Sequence, residues 1–364
     1  MKNYIALLEQ AVPGISIEDM DIPFSETGIH SLDSVILRAT IESYFGFEIA
    51  DGDWYRFTTL SDIMAFCCNK KSNAQRLHLS ETRISTAREQ EIRIPQMANS
   101  ALSENWLLKE LGDMHWEMLG IGLEQKPSRF TDNYGNRLYA AFVRVCHSTA
   151  PLHHFNENDV LQLDGRIKRS GNHTYCSAVD GVCDERSIAA TMMTSFSARK
   201  ANDNAQISKG EPDEKVNHIE EFDATPEFYS EHRLVKKGMI SEIYSGGHCF
   251  RLTDTAIESI THTINPHYEI NGVGLLYFAS FPMIADECTS VFMKNTMAIT
   301  DYDATYYTTY RDIFYFANCN AGDRIKVELN TIEDLADNRL KITTTLYRES
   351  DNKMMAKVLT IKQR

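Results

Sequence analysis

The sequence lacks most of the features that would fix a protein's class at once. No apolar run reaches the ~18 residues that a membrane-spanning helix needs. The opening MKNYIALLEQ has no apolar signal-peptide core. The expected location is therefore cytoplasmic, with no membrane partner. The eight cysteines are scattered over 364 residues without a CxxC pair, which argues against a zinc site or a disulfide framework. Most are expected to be buried free thiols, and no metal is expected. GxGxxG is absent, so the glycines of NGVGLL (271–276) do not make a phosphate loop. Positive charge is scarce: 37 Lys+Arg stand against 51 Asp+Glu, for a net charge of −14. Nucleic acid is excluded as the main partner, because phosphate binding needs clustered Lys and Arg.

What is present is ordinary for a globular chain, with 43% hydrophobic and 24% charged residues. The length suggests two to three domains of roughly 100–200 residues each. Charge is unevenly spread: residues 1–75 hold 5 Lys+Arg and 11 Asp+Glu, a net of −6. The periodicity there is helical throughout. Leu8 and Ala11 share a face with Tyr4, Ile5 and Leu7. From Ser31, apolar Leu32, Val35, Ile36 and Ala39 recur at helical spacing until Phe45, and Gly46 stops the helix. A third helix starts at Thr58-Thr59, with Leu60, Ile63, Met64 and Cys67 inward. A bundle of about 70 residues follows from that pattern.

The stretch GIHSLDSVILRATIESYFGFEI (28–49), followed by TTLSDIMAF, resembles an acyl carrier protein. The resemblance implies that the serine opening the second helix, Ser31, carries 4'-phosphopantetheine, attached by a phosphopantetheinyl transferase. Ser34 is the decoy, because Asp33-Ser34 mimics the Asp-Ser pair of that family. His30 stands where the family has Asp. A phosphodiester at a helix N-terminus is electrostatically favoured, although a serine there is also a simple N-cap.

Residues 73–94 read as a polar linker. Beyond them the pattern is mixed. Strands are expected at 137–146, 160–170, 173–180 and 189–199, and again at 306–319, 323–334, 339–350 and 353–362. GDMHWEMLGIGL (112–123) and PMIADECTSVFM (282–293) are expected as matching helices. A helix with several antiparallel strands, used twice, outlines a tandem double hotdog. The expected fold class is thus α+β: carrier-like bundle (1–72), linker (73–94), first hotdog (95–200), connection (201–240) and second hotdog (241–364).

Residues 101–147 and 271–288 resemble the two hotdogs of the bifunctional acyltransferase/decarboxylases of polyketide pathways, the leinamycin-type enzymes. The resemblance implies that methylmalonyl-CoA loses CO2 and leaves propionyl on a carrier. The partners would be an acyl-CoA and separate carrier or polyketide synthase proteins. It matches the essential tyrosine of that family to Tyr139, with Tyr134 competing; cross-strand packing is the plain alternative for Tyr139. His115 is expected in the first turn of the central helix, to polarise the thioester or carry a proton, or as a satisfied buried imidazole. Backbone N–H groups near Gly112-Asp113 are candidates for the thioester oxygen. Asn105 could hydrogen-bond substrate or make a turn. Asp286-Glu287 reads as a solvated helix face. Two other classes stand beside this reading: a hotdog dehydratase or thioesterase on carrier-bound acyl chains, and a non-catalytic acyl-carrier docking scaffold. Dehydration lacks an evident His and Asp/Glu pair.

Overall fold

The computed structural model describes residues 8–9, 11–12, 14–29, 31–45, 47–75, 79, 82–132, 134–200, 203–212 and 217–364. His30 and most of the expected first helix lie outside them. The chain divides into two units, Met1–Gln75 with Tyr244–Cys249, and Arg76–Ile243 with Phe250–Arg364.

In the first unit, helix α1 spans Ser31–Phe45 and α2 spans Leu60–Gln75. Leu37, Ile41 and Phe45 of α1 pack with Leu60, Ile63 and Cys67 of α2 around buried Leu8 and Ala11. The start of α2 is a reciprocal cap. Thr59 Oγ1 accepts from Asp62 N at 3.1 Å, and Asp62 Oδ2 accepts from Thr59 N at 2.9 Å.

In the second unit, β1 (Ser85–Glu91), α3 (Glu104–Gly122), β2 (Tyr139–Thr149), β3 (Val160–Ser170), β4 (Thr174–Cys183), β5 (Arg186–Lys200) and β6 (Asp203–Lys209) form one half. Helix α4 (Glu227–Lys236) follows. The other half is β7 (Glu258–Thr263), α5 (Phe281–Asn295), β8 (Tyr307–Tyr315), β9 (Arg324–Leu335), β10 (Arg339–Arg348) and β11 (Lys353–Gln363). Together they make one 11-stranded antiparallel sheet in the order β1-β3-β4-β5-β2-β8-β11-β10-β9-β7, with β6 paired to β5. Each half repeats one strand order, 1-3-4-5-2, around its own helix, which is the double hotdog expected from the sequence. The halves join where β2 pairs with β8, through Val145↔Ile313 and Arg144↔Phe314. The apolar faces of α3 and α5, including Leu107, Leu111, Met114, Ile284 and Cys288, share one core.

Three expectations change. Residues 85–91 are an edge strand, not linker. STAREQE shows no apolar alternation because the side chain it turns toward α3 is Arg88, which pairs with Glu110 at 2.5 Å, Glu117 at 2.6 Å and Asp113 at 2.9 Å. The central helix begins at Glu104 rather than 112, capped by Ser103 Oγ accepting from Trp106 N at 3.3 Å. The connection 201–240 holds β6 and α4. Gly112 then lies inside α3, where a Cβ would stand 2.6 Å from Phe278 Cζ, so the bare backbone lets the second hotdog's Phe278 ring approach the helix.

Candidate active site

The start of α1 matters first. Ser31 is the first residue of α1, a 15-residue helix with Asp33 in its first turn. The first amides of a helix have no intrahelical acceptor. The decoy Ser34 is engaged, its Oγ accepting from Trp54 Nε1 at 3.3 Å.

Of the residues expected in the hotdog site, Tyr139 is half-buried at the start of β2. The Arg137 guanidinium carbon lies 5.1 Å from its ring centre, and that of Arg199 lies 5.0 Å away. Its hydroxyl has no hydrogen-bond partner among the described residues. Tyr134 is 90% exposed in the preceding turn. Arg199 Nη2 donates to Val273 O at 2.6 Å, which ties β5 to the NGVGLL loop of the second hotdog.

His115 sits in the middle of α3, fully buried against the sheet. Its Nδ1 lies 2.7 Å from Ser177 Oγ and its Nε2 lies 2.8 Å from Thr194 Oγ1. Burial pushes its pKa down to about 3, so the imidazole is neutral, with one nitrogen donating and the other accepting. Neither nitrogen is open to a thioester while those bonds hold. The amides of Gly112 and Asp113 are likewise mid-helical, engaged in the α3 ladder and not at its start. Asn105, in the first turn of α3, donates from Nδ2 to Ala279 O at 3.0 Å, linking the two hotdogs ahead of α5. No hydrogen bond or ring contact among the described residues brings Tyr139, His115 and Asn105 together.

A second cluster lies on the core side of the β2·β8 seam. Arg311 of β8 bridges both central helices. Its Nε and Nη2 each reach a Glu104 oxygen at 2.8 Å, while Nη1 and Nη2 reach Asp286 at 3.0 and 2.9 Å. Lys362 Nζ stands 2.8 Å from Asp286. His147 Nε2 lies 3.1 Å from Glu104 Oε1, and its buried Nδ1 has no hydrogen-bond partner among the described residues. Burial alone would raise the Glu104 carboxyl; Arg311 and His147 hold it well below the usual range. Asp286 is lowered in the same way, against its burial, by Arg311 and Lys362. Asp286 is thus not a solvated residue, whereas Glu287 is exposed and binds His262 Nδ1 at 2.7 Å.

Besides His262 with Glu269 and Glu287, a His–carboxylate pair that no sequence pattern shows is Glu104 with His147. Forty-three positions separate the two, and no motif joins them. The only local signal was an acidic residue directly after a capping serine. On the opposite face of the seam, Arg144 is fully buried in a bidentate pair with Asp312 at 3.0 and 2.7 Å, with Glu231 of α4 at 2.9 Å.

The architecture defines a class: a small helical module followed by a hotdog body, mixed helix and sheet. Residues 5–67 match the model of the phosphopantetheine attachment site family. No curated protein matches over the chain. Among solved structures the hotdog body resembles the 12:0-ACP thioesterase from Umbellularia californica, with TM-score 0.54, 12% identity, 77% of this chain and 94% of that one covered. It also resembles an acyl-ACP thioesterase from Bacteroides thetaiotaomicron, with TM-score 0.50, 8% identity, 77% and 98% covered. At these identities the likeness is one of fold. The chain thus joins a phosphopantetheine carrier domain to a body with the double-hotdog fold. Among the described residues, no helix is long and apolar enough to cross a membrane.

Proposed function

We propose that the chain is an acyltransferase/decarboxylase. It takes methylmalonyl-CoA, releases CO2 and forms a propionyl thioester on a phosphopantetheine carrier, its own or a separate one. The observation that carries this reading is Tyr139: half-buried, beside two guanidiniums, with its hydroxyl free of partners among the described residues. The resemblance of 101–147 and 271–288 to the leinamycin-type enzymes supports it, as does a carrier domain in the same chain.

Ser31 would hold the phosphopantetheine; the amides of a helix's first turn, which have no intrahelical acceptor, suit its phosphodiester. When bound, the group supplies a thiol that accepts acyl chains. In the donor, the bond from the α-carbon to the carboxylate breaks. Its electron pair moves into the enolate of the thioester, CO2 leaves, and the α-carbon takes a proton from solvent. Tyr139 orients the thioester by donating a hydrogen bond to the oxygen that gains charge, while the carrier thiol displaces CoA and its proton leaves with CoA–SH. Or the Tyr139 hydroxyl takes the acyl group first, its proton going to the departing CoA thiolate, and is regenerated when the carrier thiol takes the acyl group. Asn105 holds the α3 start against the Phe278–Ser280 turn. His115 supports α3 as a neutral imidazole.

A second reading, thioester hydrolysis, is favoured by the Glu104–His147 contact with its unpartnered Nδ1, and the solved structures of similar fold are acyl-ACP thioesterases. The two separate on one variant. Tyr139→Phe is expected to abolish loading of a carrier from methylmalonyl-CoA while its melting curve stays that of the wild type. Loading at the wild-type rate would remove the phenol from the reaction.

A further inference from the structure

Arg137 and Arg199 lack the carboxylate partner that most described arginines have, a lack they share with Arg129 and Arg233, and both lie against the ring of Tyr139. In this acidic chain the guanidiniums of Arg88, Arg144, Arg186, Arg311 and Arg348 each have a carboxylate within ion-pair distance. Arg137 and Arg199 have none among the described residues. Arg137 donates from Nη2 to Ser128 O at 3.3 Å and Arg199 from Nη2 to Val273 O at 2.6 Å, so each is fixed by a backbone carbonyl with most of its N–H fork unused. A nearby carboxylate in sequence, Asp132, is occupied: it accepts from the amides of Tyr134 and Asn136 at 2.9 and 2.8 Å and from Asn136 Nδ2 at 2.9 Å. Two positive charges are thus held on the ring of Tyr139 with no counter-ion among the described residues.

The geometry points to Arg137 and Arg199 as the site that recognises the free carboxylate of the acyl group, restricting the enzyme to malonyl-type donors. This deepens the proposed reaction and rests on Tyr139 marking its site. A planar guanidinium matches a carboxylate with two parallel N–H···O bonds, which a neutral acyl chain cannot supply. The same fork would also take a phosphate. The pantetheine arm, however, separates the phosphates of CoA from its thioester by many bonds, and Tyr139 is placed at the thioester. The carboxylate is one carbon from that thioester and suits two cations beside the phenol. As CO2 departs, the charge moves only to the neighbouring thioester oxygen and stays within the field of the same two cations.

The test is calorimetric binding to the full chain, with three amide analogues whose thioester sulfur is replaced by NH. Malonyl-pantetheine amide carries a carboxylate and no phosphate, propionyl-pantetheine amide carries neither, and propionyl-CoA amide carries phosphates alone. Arg137→Met and Arg199→Met are each expected to weaken the malonyl probe by about tenfold to hundredfold and to leave both propionyl probes unchanged. The Lys variants, which keep charge without the fork, should fall between, with unchanged melting curves. A loss confined to the CoA probe would transfer the site to phosphate and overturn the assignment, as would a malonyl probe that binds equally to every variant or not at all. Arginine-dependent binding of the malonyl probe without turnover of methylmalonyl-CoA would sustain the carboxylate site and remove the reaction.

Discussion

In the first hotdog, α3 meets its sheet through a neutral imidazole, His115, held between the hydroxyls of Ser177 and Thr194. In the second, α5 meets its sheet through a carboxylate, Asp286, held between Arg311 and Lys362. One strand order supports both. The difference shows that one strand order accommodates either a neutral or a charged group between helix and sheet. It also assigns unequal work. His115 serves its own helix, whereas Arg311 reaches Glu104 of α3 as well as Asp286 of α5 and so ties the halves together.

Breaking the ionic side should cost most. Arg311→Met leaves Glu104 with His147 and Asp286 with Lys362 but removes the guanidinium between them, and removal of one partner of a buried ion pair costs about 3–5 kcal/mol. Urea unfolding of the variant should show that loss; a change below about 1 kcal/mol would make the network a surface-like pair. Gly112→Ala comes next. Its methyl would press on Phe278 from 2.6 Å, and overpacking of this kind costs about 1–3 kcal/mol. A second change, Phe278→Leu, should recover part of it.

The imidazole side is smaller at neutral pH and has its own signature. The pKa of His115 is about 3 in the folded chain against an ordinary 6.5. The unfolded chain therefore binds a proton that the folded chain refuses between those values. Stability from this group is complete above about pH 6.5 and is lost as pH falls toward 3, at about 1.4 kcal/mol per pH unit well below 6.5. His115→Leu leaves two hydroxyls unmatched and is expected to cost about 2 kcal/mol at pH 7. The gap to wild type should narrow toward pH 5, where only the wild type must keep an imidazole unprotonated. A gap independent of pH would mean that His115 is not held neutral. The carboxylates at the seam act lower on the scale: Glu104 stays ionised in the fold, so its contribution persists above the ordinary carboxylate range and fades only as pH falls through and below it.

Much of this was legible in the sequence. The long strands announced themselves because their core-facing positions are apolar, as in Val145, Ile313 and Val358. In the first module Ile63 of α2 is buried as its spacing implies, but the expected face of α1 is displaced: Val35, Ile36 and Ala39 are exposed, and Leu37, Ile41 and Phe45 are the buried residues. What was hidden are the places where a charge replaces an apolar residue on a buried face. β1 turns Arg88 toward α3, and so shows no hydrophobic alternation. Asp286 looked like a solvent-facing residue because its cations come from β8 and β11. Glu104 and His147 meet only through the fold. The pattern of 112–123 places the start of α3 two turns late, because its real opening at Ser103 and Glu104 adjoins Asn105, which equally suits a turn. The register of Ser31 rests on a helix beginning, a local signal that sequence patterns carry well.

The most direct test of the central claim is the intact mass of the full chain, carrying phosphopantetheine, after incubation with methylmalonyl-CoA. The account predicts a gain of one propionyl group, located on Ser31 and absent in Ser31→Ala, with release of CO2. A methylmalonyl group retained on the arm, or an arm that stays unloaded while methylmalonyl-CoA remains intact, would contradict it.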